Sequence, residues 1–254
     1  MKKGITLTVS IISIALTCFA LNNKQGKGAV SPKGFTVIEL FSSEGCSSCP
    51  PAELVMHNLI QKANAESLPV YVIEFHVDYW DYLGWKDSFA MPEYSQRQQQ
   101  YGNFFNLNSI YTPQAIVNGK SEIVGSDEDK INAAVSKELQ NPSSVIIDCK
   151  AHKINNSNIE VEYTISGNIS GHELNFALVE SNLTTYVKRG ENAHKTFTHD
   201  NVARVFKSIK LNSSTGKIAI ETPHVNLSNA KIICYLQNTA NRNITGATEV
   251  AINQ

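Results

Sequence analysis

The sequence predicts an α/β domain followed by an all-β sandwich domain. Apolar strand-like runs alternate with helical segments up to about residue 140, as in sheets whose faces are covered by helices. Asn141-Pro142 ends this pattern, and only short strands follow. The chain has 254 residues, 42% hydrophobic and 18% charged, which is enough for two modest domains. We therefore place the domains at residues 34–141 and 142–254.

The N-terminal residues predict export. Two lysines precede an apolar run over residues 5–20 that contains several hydroxyl side chains, a pattern typical of a secretory signal peptide. With cleavage after Ala20, the signal peptide spans 1–20, a polar linker spans 21–33, and the mature chain is periplasmic or secreted. Two alternatives stay open: an uncleaved membrane helix, and a lipoprotein whose lipid is attached to Cys18.

Charge limits the partners that the chain can take. The formal net charge is −1, so the chain has no broad basic field, and we expect no nucleic-acid partner. Contact with a membrane is expected only if Cys18 carries a lipid. The sequence leaves the oligomeric state open.

The first elements alternate between strand and helix. Mostly apolar runs predict buried strands over 35–41 and 70–77. Prolines suit the first turn of a helix, where a missing N–H costs little, and apolar or aromatic side chains then recur at helical spacing. These signals predict helices that begin at Pro50 and at Pro92, with an aromatic-rich loop over 78–87 before the second helix.

A hairpin, a third helix and a series of strands complete the predicted order. Asn118-Gly119 predicts a tight turn, and the acidic residues after Ser126 predict a helix that ends near Gln140. The later strands span roughly 100 residues, the size of an immunoglobulin-like sandwich. They are expected around 144–149, 159–165, 173–180, 203–211, 217–222, 231–237 and 247–252.

Cys46-Ser47-Ser48-Cys49 lies between the first strand and the first helix, and it predicts a redox-active cysteine pair. The partial positive charge at a helix N-terminus favours a thiolate over a thiol. We expect Cys46 to be the exposed sulfur that attacks a partner disulfide, and Cys49 to resolve the mixed disulfide. The predicted function is thiol–disulfide exchange with protein or small-molecule thiols and disulfides.

Two other interpretations of the pair stay open. The cysteines could bind zinc or copper together with His57 or His76, or they could form a permanent structural disulfide. A structural zinc site usually needs a second cysteine pair of similar spacing, and the sequence has none. We therefore predict no metal and no cofactor.

Thr112-Pro113 is the second marker of the site. In thioredoxin-like folds a cis proline precedes a strand and packs against the cysteine pair, and X–Pro is the common place for a cis bond. Here the apolar run 115–117 follows the proline. We therefore predict a thioredoxin-like N-terminal domain, with Pro113 in the catalytic site and Thr112 in its wall.

Acidic and aromatic residues supply further candidates. Glu39 lies inside an apolar strand seven residues before Cys46, and it is expected to accept protons or to pair with a local cation. Asp78 follows the second strand and is a candidate for proton transfer during exchange. The residues around it are expected to form a wall over the disulfide, or else a hydrophobic cluster with solvated acids: His76, Trp80 and Asp81.

The last two cysteines lie in the β region. Cys149 and Cys234 occupy separate strand-like runs, and we predict a structural disulfide between them, with two buried free thiols as the alternative. The polar stretch 188–200 is expected to be a long loop that contacts the first domain or a partner.

Several motifs together resemble the bacterial secreted domain-of-unknown-function family 1223. The resemblance covers about residues 35–252 and implies a thioredoxin-like domain followed by a β domain, with no established activity. The motifs that carry it are Glu39–Ala52, His76–Asp87, Tyr111–Gln114, Ala177–Glu180 and Arg189–Asn192.

Overall fold

The structure is a computed structural model that describes Met1 and residues 34–253. The predicted signal peptide and linker, and with them Cys18, lie outside the described residues. Strands make up 42% of the described residues and helices 23%. No helix in this part of the chain has the length and apolarity needed to cross a membrane.

Three helices and thirteen strands follow one another along the described residues. The first elements are β1 (Thr36–Ser42), α1 (Pro50–Glu66), β2 (Val70–His76), α2 (Pro92–Phe104), β3 (Gln114–Val117), β4 (Ser121–Val124) and α3 (Glu128–Leu139). Strands then continue as β5 (Ile146–Asn155), β6 (Asn158–Ser166), β7 (His172–Glu180), β8 (Leu183–Tyr186), β9 (Thr196–His199), β10 (Val202–Lys210), β11 (Thr215–Glu221), β12 (Ala230–Asn238) and β13 (Ile244–Asn253). Short 3₁₀ turns span Asp78–Leu83 and Leu227–Asn229.

Helix α1 begins and ends where its sequence dictates. Prolines occupy its first positions, and Ser67 in the left-handed conformation ends it. One face is buried against β1, β2 and β3, because its apolar side chains recur at a spacing of three and four residues. These side chains are Ala52, Met56, Leu59, Ile60 and Ala63.

Strand β1 pairs with β2 in parallel and with β3 in antiparallel orientation. The free edge of β2 is then met by β10 through one parallel pair, Val202 with Glu74. Asn201 strengthens this junction, since its carbonyl accepts from Glu74 N over 3.0 Å and its Nδ2 donates to Val72 O over 3.0 Å. An edge strand that would otherwise expose unpaired backbone groups is covered in this way.

The expected α/β thioredoxin-like domain with a separate immunoglobulin-like sandwich is wrong. One mixed sheet of eleven strands, in the order β11-β6-β5-β13-β12-β7-β10-β2-β1-β3-β4, spans both parts of the chain. A single hydrophobic cluster also joins them, since Phe41 and Phe75 pack with Val179 and Ile233. The sheet continues past Asn141 for two reasons. Strand β10 pairs with the edge of β2, and apolar side chains from before and after Asn141 are buried in one core.

The far part of the sheet folds back on itself around a second core. Tyr163 on β6 and Phe176 on β7 have ring centroids 6.0 Å apart, although three strands lie between β6 and β7 in the sheet. Cys149 and Cys234 lie in this core as free thiols, where a disulfide was predicted. Burial raises the pKa of Cys234, and the neighbouring Cys149 adds to the shift, so this thiol stays protonated.

Part of the polar stretch 188–200, which was expected to be a long loop, is the second strand of a small hairpin. Strands β8 and β9 pair in antiparallel orientation, from Leu183 with His199 to Tyr186 with Thr196. The hairpin brings residues 187–195 over the start of α1, where they contact the cysteine motif.

Candidate functional site

A disulfide joins Cys46 and Cys49 at the start of α1. Tight turns lead from β1 to the helix, because Cys46 N donates to Ser43 O over 3.1 Å and Cys49 N donates to Cys46 O over 3.2 Å. The two Cα atoms are 5.5 Å apart, the usual separation for a disulfide. The first turn of a helix carries partial positive charge, so this position favours a thiolate when the bond opens.

The expectation that Cys46 is exposed is wrong. Cys46 and Cys49 are both 0% exposed, whereas the two serines between them are exposed. Ser48 Oγ lies 3.2 Å from Cys46 Sγ and donates to Thr112 O over 3.3 Å. The motif therefore reaches the surface through its serines, and its sulfurs lie beneath them.

Residues 187–195, called the cover below, lie against the backbone of the cysteine motif. Asn192, itself buried, donates from Nδ2 to Cys46 O over 2.9 Å and to Glu44 O over 3.0 Å. Glu191 Oε2 accepts from Ser47 N over 3.0 Å, and this contact lowers the pKa of Glu191. These three hydrogen bonds hold the cover against the backbone of the motif, in which Cys46 is buried.

Thr112 and Pro113 flank the motif from the other side, and the peptide bond between them is cis. Gly125 shows how closely Pro113 approaches α1: a Cβ on Gly125 would lie 3.2 Å from Cβ of Pro113 and 3.1 Å from Cβ of Ala52. Pro113 therefore packs beside the first turn of the helix that carries the cysteines.

Trp80 lies beside the start of the cysteine motif, and its role as a wall over the disulfide stays a prediction. Its Nε1 donates to Thr112 Oγ1 over 2.8 Å, and a Cβ on Gly45 would lie 3.0 Å from Cβ of Trp80. Trp80 thus contacts the residue before Cys46 through its Cβ and the residue before Pro113 through its indole.

The two candidate acids beside Trp80 make local contacts. Asp78 Oδ1 accepts from Ser95 Oγ over 2.5 Å, which ties the 3₁₀ turn to α2. Asp81 Oδ1 accepts from Asp87 N over 3.1 Å, and burial raises the pKa of Asp81. Neither hydrogen bond leads to the disulfide, so the proposed role of Asp78 in proton transfer finds no support in these contacts.

Glu39 faces the side of the sheet opposite to α1. Its neighbours Val37 and Phe41 pack with α2, whereas Ile38 and Leu40 pack with α1. Its carboxylate pairs with Arg97, whose Nη2 donates to Oε1 over 2.9 Å. The structure therefore favours the cation partner over catalysis, because a guanidinium on the far face of the sheet holds this carboxylate.

A second buried polar cluster lies on the α1 side of the sheet. Glu53 comes from α1, Glu74 and His76 from β2, and His199 from the end of β9. Glu74 and His76 are two residues apart, so they share the face of β2 that packs against α1. Ligand-type atoms of Glu53, His76 and His199 lie within 4.8 Å of one another.

The two rings and the Glu53 carboxylate each have one atom fixed by a neighbour. His76 Nδ1 lies 2.7 Å from Asp87 Oδ2, and Glu53 Oε1 accepts from Ser42 Oγ over 2.6 Å. His199 Nε2 lies 3.2 Å from Glu44 Oε1. The rings and the Glu53 carboxylate are therefore held in defined orientations.

Mutual charge sets the protonation of these groups. Burial disfavours the imidazolium of His199, but contacts with the carboxylates of Glu44 and Glu53 outweigh it and raise its pKa to about 11. Burial, followed by the Glu53 carboxylate, raises the pKa of Glu74 well above its ordinary value. Burial opposes ionisation of Asp87 as well, yet His76 holds its pKa below the ordinary range.

His57 takes no part in either cluster. It lies on the exposed side of α1, where its Nδ1 is 2.6 Å from Asp200 Oδ2. His76 lies in the carboxylate–histidine cluster, so neither histidine completes the metal site that was considered for the cysteines.

Sequence reasoning missed Glu44, Glu53, His199 and Asn192. The sequence does contain a signal for the cluster, since Glu74 and His76 occupy alternate positions of a buried strand, where apolar residues are the norm. His199 gave no such signal, because it lies in a polar stretch that resembles a solvated loop.

The fold and the site together define a β-rich protein with a Cys-x-x-Cys disulfide at a helix N-terminus and a buried carboxylate–histidine cluster. The chain belongs to DUF1223, a family of proteins of unknown function, whose profile matches residues 37–237. This match confirms the family that the sequence motifs indicated. No curated protein matches the chain significantly.

Solved structures share this fold. A crystal structure of a protein from Agrobacterium tumefaciens is 27% identical, with 85% of this chain and 93% of that chain covered and a TM-score of 0.65. HBP35 of Porphyromonas gingivalis is 14% identical, with 87% and 76% covered and a TM-score of 0.60. At that identity the second similarity shows the fold alone.

Proposed function

We propose that this protein is an exported thiol–disulfide oxidoreductase that acts through Cys46 and Cys49. The position of their disulfide at the N-terminus of α1 is the observation that carries the proposal. Helix-terminal Cys-x-x-Cys pairs are suited to exchange because the helix stabilises the thiolate that leaves. The partners are protein or small-molecule thiols and disulfides.

The exchange starts with a partner thiolate that attacks Sγ of Cys46. The Cys46–Cys49 bond breaks and its electron pair goes to Cys49 Sγ, next to the amide groups of α1. A second thiolate of the same partner then attacks the partner's sulfur in the mixed disulfide. Cys46 leaves as a thiolate. The partner gains a disulfide, and the pair takes up two electrons and two protons. In the reverse direction Cys46 attacks a partner disulfide and Cys49 resolves the intermediate.

Ser48 supports the charge that develops on Cys46. Its hydroxyl lies 3.2 Å from Cys46 Sγ and donates to Thr112 O in the oxidised state. A rotation about the Cβ–Oγ bond directs the same O–H at a Cys46 thiolate, and hydrogen bonds to charged groups are the stronger ones.

The cover at 187–195 has to open before a partner reaches Cys46. Three hydrogen bonds from Asn192 and Glu191 hold it closed. A protein hydrogen bond contributes about 0.5–1.5 kcal/mol net, so opening this contact is a local event rather than global unfolding. The covered state protects the disulfide from indiscriminate exchange.

A permanent structural disulfide is the second candidate. The complete burial of Cys46 and Cys49 favours it, since an unreactive disulfide needs no access to solvent. In that case the bond fixes the turn that leads into α1.

Export is supported by the sequence alone. The lysines and the apolar run over 5–20 resemble a signal peptide, and disulfides persist in oxidising compartments. Mass spectrometry of the protein from a culture fractionated into periplasm and medium tests this part, with loss of residues 1–20 as the expected result.

The activity is tested by reduction of insulin with dithiothreitol as the electron source. Wild type is expected to accelerate the reaction, and Cys46→Ser to abolish the acceleration. Cys49→Ser is expected to accumulate mixed disulfides at Cys46, because the resolving sulfur is missing.

Cys149→Ala serves as the matched control, since it removes a cysteine far from the motif and keeps the Cys46–Cys49 pair. It is expected to keep the wild-type rate. If wild type and Cys46→Ser reduce insulin equally slowly, and Cys49→Ser traps no partner, the structural candidate is correct.

A further inference from the structure

We propose that Glu53, His76 and His199 form a binding site for one divalent transition-metal ion of the zinc class. The site lies between α1 and the ends of β2 and β9, and its ligands are His76 Nε2, His199 Nδ1 and the Glu53 carboxylate. It does not use the cysteines and does not depend on the oxidoreductase proposal.

Unpartnered atoms of buried histidines point to this site. His76 and His199 are both fully buried, and neither His76 Nε2 nor His199 Nδ1 has a hydrogen-bond partner among residues 34–253. His199 Nδ1 lies 3.2 Å from Glu53 Oε2, yet outside hydrogen-bond geometry. Buried polar atoms are nearly always paired, so the open His76 Nε2, which converges with His199 Nδ1 and the Glu53 carboxylate, indicates a cation-binding site.

The outer contacts have the form that metal-binding histidines require. Such a histidine usually gives its second ring nitrogen to a carboxylate, which fixes the ring and its tautomer. Asp87 takes this place for His76 at 2.7 Å, and Glu44 takes it for His199 at 3.2 Å.

A further layer of hydrogen bonds fixes those two carboxylates. Trp85 Nε1 donates to Glu44 Oε2 over 2.7 Å, and Glu44 N donates to Asp87 Oδ2 over 2.8 Å. The site is therefore organised over two layers of contacts.

The donor set selects the class of ion. Two imidazole nitrogens and one carboxylate oxygen suit zinc and its neighbours in the first transition row, whereas calcium and magnesium prefer oxygen ligands alone. Charge agrees with this choice, because the carboxylates of Glu44, Glu53 and Asp87 lie around only two imidazoles.

Phe89 closes the site against water. Its ring lies 5.5 Å from the ring of His76 and 5.7 Å from that of His199, both edge to face. An ion here would link three segments that are distant in the chain, namely α1, β2 and β9, and would thereby stabilise the fold.

The site is tested by titrating chelator-treated, oxidised protein with Zn²⁺ in a calorimeter and with Co²⁺ in a visible spectrophotometer. Oxidised protein is used because the disulfide sulfurs are then not ligands. Wild type is expected to bind one equivalent of Zn²⁺, to show the absorption of Co²⁺ bound by nitrogen and oxygen, and to melt at a higher temperature with Zn²⁺.

Ligand variants locate the ion. His76→Ala and His199→Ala are each expected to lower Zn²⁺ affinity at least about 100-fold, and Asp87→Asn about 10–100-fold. The matched control is His152→Ala, because His152, Glu160 and Glu162 form a partly exposed cluster of similar composition. This control is expected to keep the full equivalent.

Circular dichroism shows whether each variant folds. If His199→Ala is unfolded, Zn²⁺ binding is measured with Glu53→Gln and Asp87→Asn instead. Both keep the shape of the side chain and are expected to lower Zn²⁺ affinity. The proposal is overturned if wild type binds no Zn²⁺, if both histidine variants bind as wild type does, or if only His152→Ala loses binding. The insulin assay is unaffected by any of these results, so the two proposals fail separately.

Discussion

Two buried polar clusters lie on opposite faces of the large sheet, and they differ in how completely their atoms are paired. On the α2 face, Arg97 donates to Glu39, Tyr101, Tyr235 and Gln237, and the Glu39 carboxylate accepts from Tyr101 as well. On the α1 face, three atoms have no hydrogen-bond partner in the described part of the chain: Glu74 Oε2, His76 Nε2 and His199 Nδ1.

The difference separates a cluster that holds the fold from one that can bind a ligand. A fully paired network stabilises a unique arrangement and has no atom left for another molecule. A network with converging open atoms costs stability unless something binds there. Both clusters contain buried charge, so pairing rather than burial distinguishes them.

The largest effect is expected for Glu39→Gln. The substitution leaves the Arg97 guanidinium buried without a counter-charge, and breaking a buried pair in this way costs about 3–5 kcal/mol. Urea unfolding followed by circular dichroism measures the loss. The double variant Glu39→Met, Arg97→Met is the control, and it should recover much of the stability because no charge stays buried. A loss below about 1 kcal/mol for Glu39→Gln would show that this pair is not structural.

The second prediction concerns the pH dependence of the metal-free protein. The pKa of His199 is raised to about 11 in the folded state, from 6.5 ordinarily. Its contribution to the free energy of unfolding is therefore fully present below about pH 6.5. It declines as pH rises from there and is lost above about pH 11, with a slope of at most about 1.4 kcal/mol per pH unit.

Urea unfolding at a series of pH values checks this dependence, with His199→Gln as the comparison. The variant should lose the decline between neutral pH and pH 10. If wild type and variant show the same slope, the carboxylates of Glu44 and Glu53 do not hold a proton on His199.

A smaller effect is expected for Asn192→Ala. The variant removes two hydrogen bonds that hold the cover against the motif. If this destabilises the closed position of the cover by about 1.4 kcal/mol, the fraction of molecules with an open cover rises about tenfold. The rate of disulfide reduction by dithiothreitol should rise accordingly. Lys188→Ala is the control, since Lys188 is an exposed residue of the same loop and both hydrogen bonds of Asn192 to the motif are kept. An unchanged rate for Asn192→Ala would show that this loop does not limit access.

The smallest effect is expected for Glu74→Gln, the counterpart of Glu39→Gln on the other face. Burial raises the pKa of Glu74 well above its ordinary value, which favours the uncharged carboxyl, and glutamine is an uncharged side chain of similar shape. The free energy of unfolding, measured with urea at neutral pH, should change by less than about 1 kcal/mol. A loss comparable to that of Glu39→Gln would mean that both faces carry essential charge.

Local patterns predicted most elements of the N-terminal part. Apolar runs located β1 and β2, prolines located the starts of α1 and α2, and Asn118-Gly119 located the β3–β4 turn. These signals depend on neighbours in the sequence. The joining of both parts into one sheet depends on a single pair, Val202 with Glu74, which leaves no local pattern.

The candidate site shows the same division. The cysteine motif and its neighbours Thr112 and Trp80 could be found from the sequence, because each lies in a recognisable local context. The cover and the carboxylate–histidine cluster could not, since Asn192 and His199 come from a polar stretch far along the chain. For Cys149 and Cys234 the sequence located the strands correctly, but the predicted disulfide between them is not formed and both are free thiols.

The most direct test of the account is a redox titration of the native protein. The protein is equilibrated with dithiothreitol at graded potentials, free thiols are alkylated, and peptides are identified by mass spectrometry. We predict that Cys46 and Cys49 become alkylated together in one reversible two-electron step while circular dichroism shows an intact fold. A bond that stays oxidised until the protein unfolds would contradict the account.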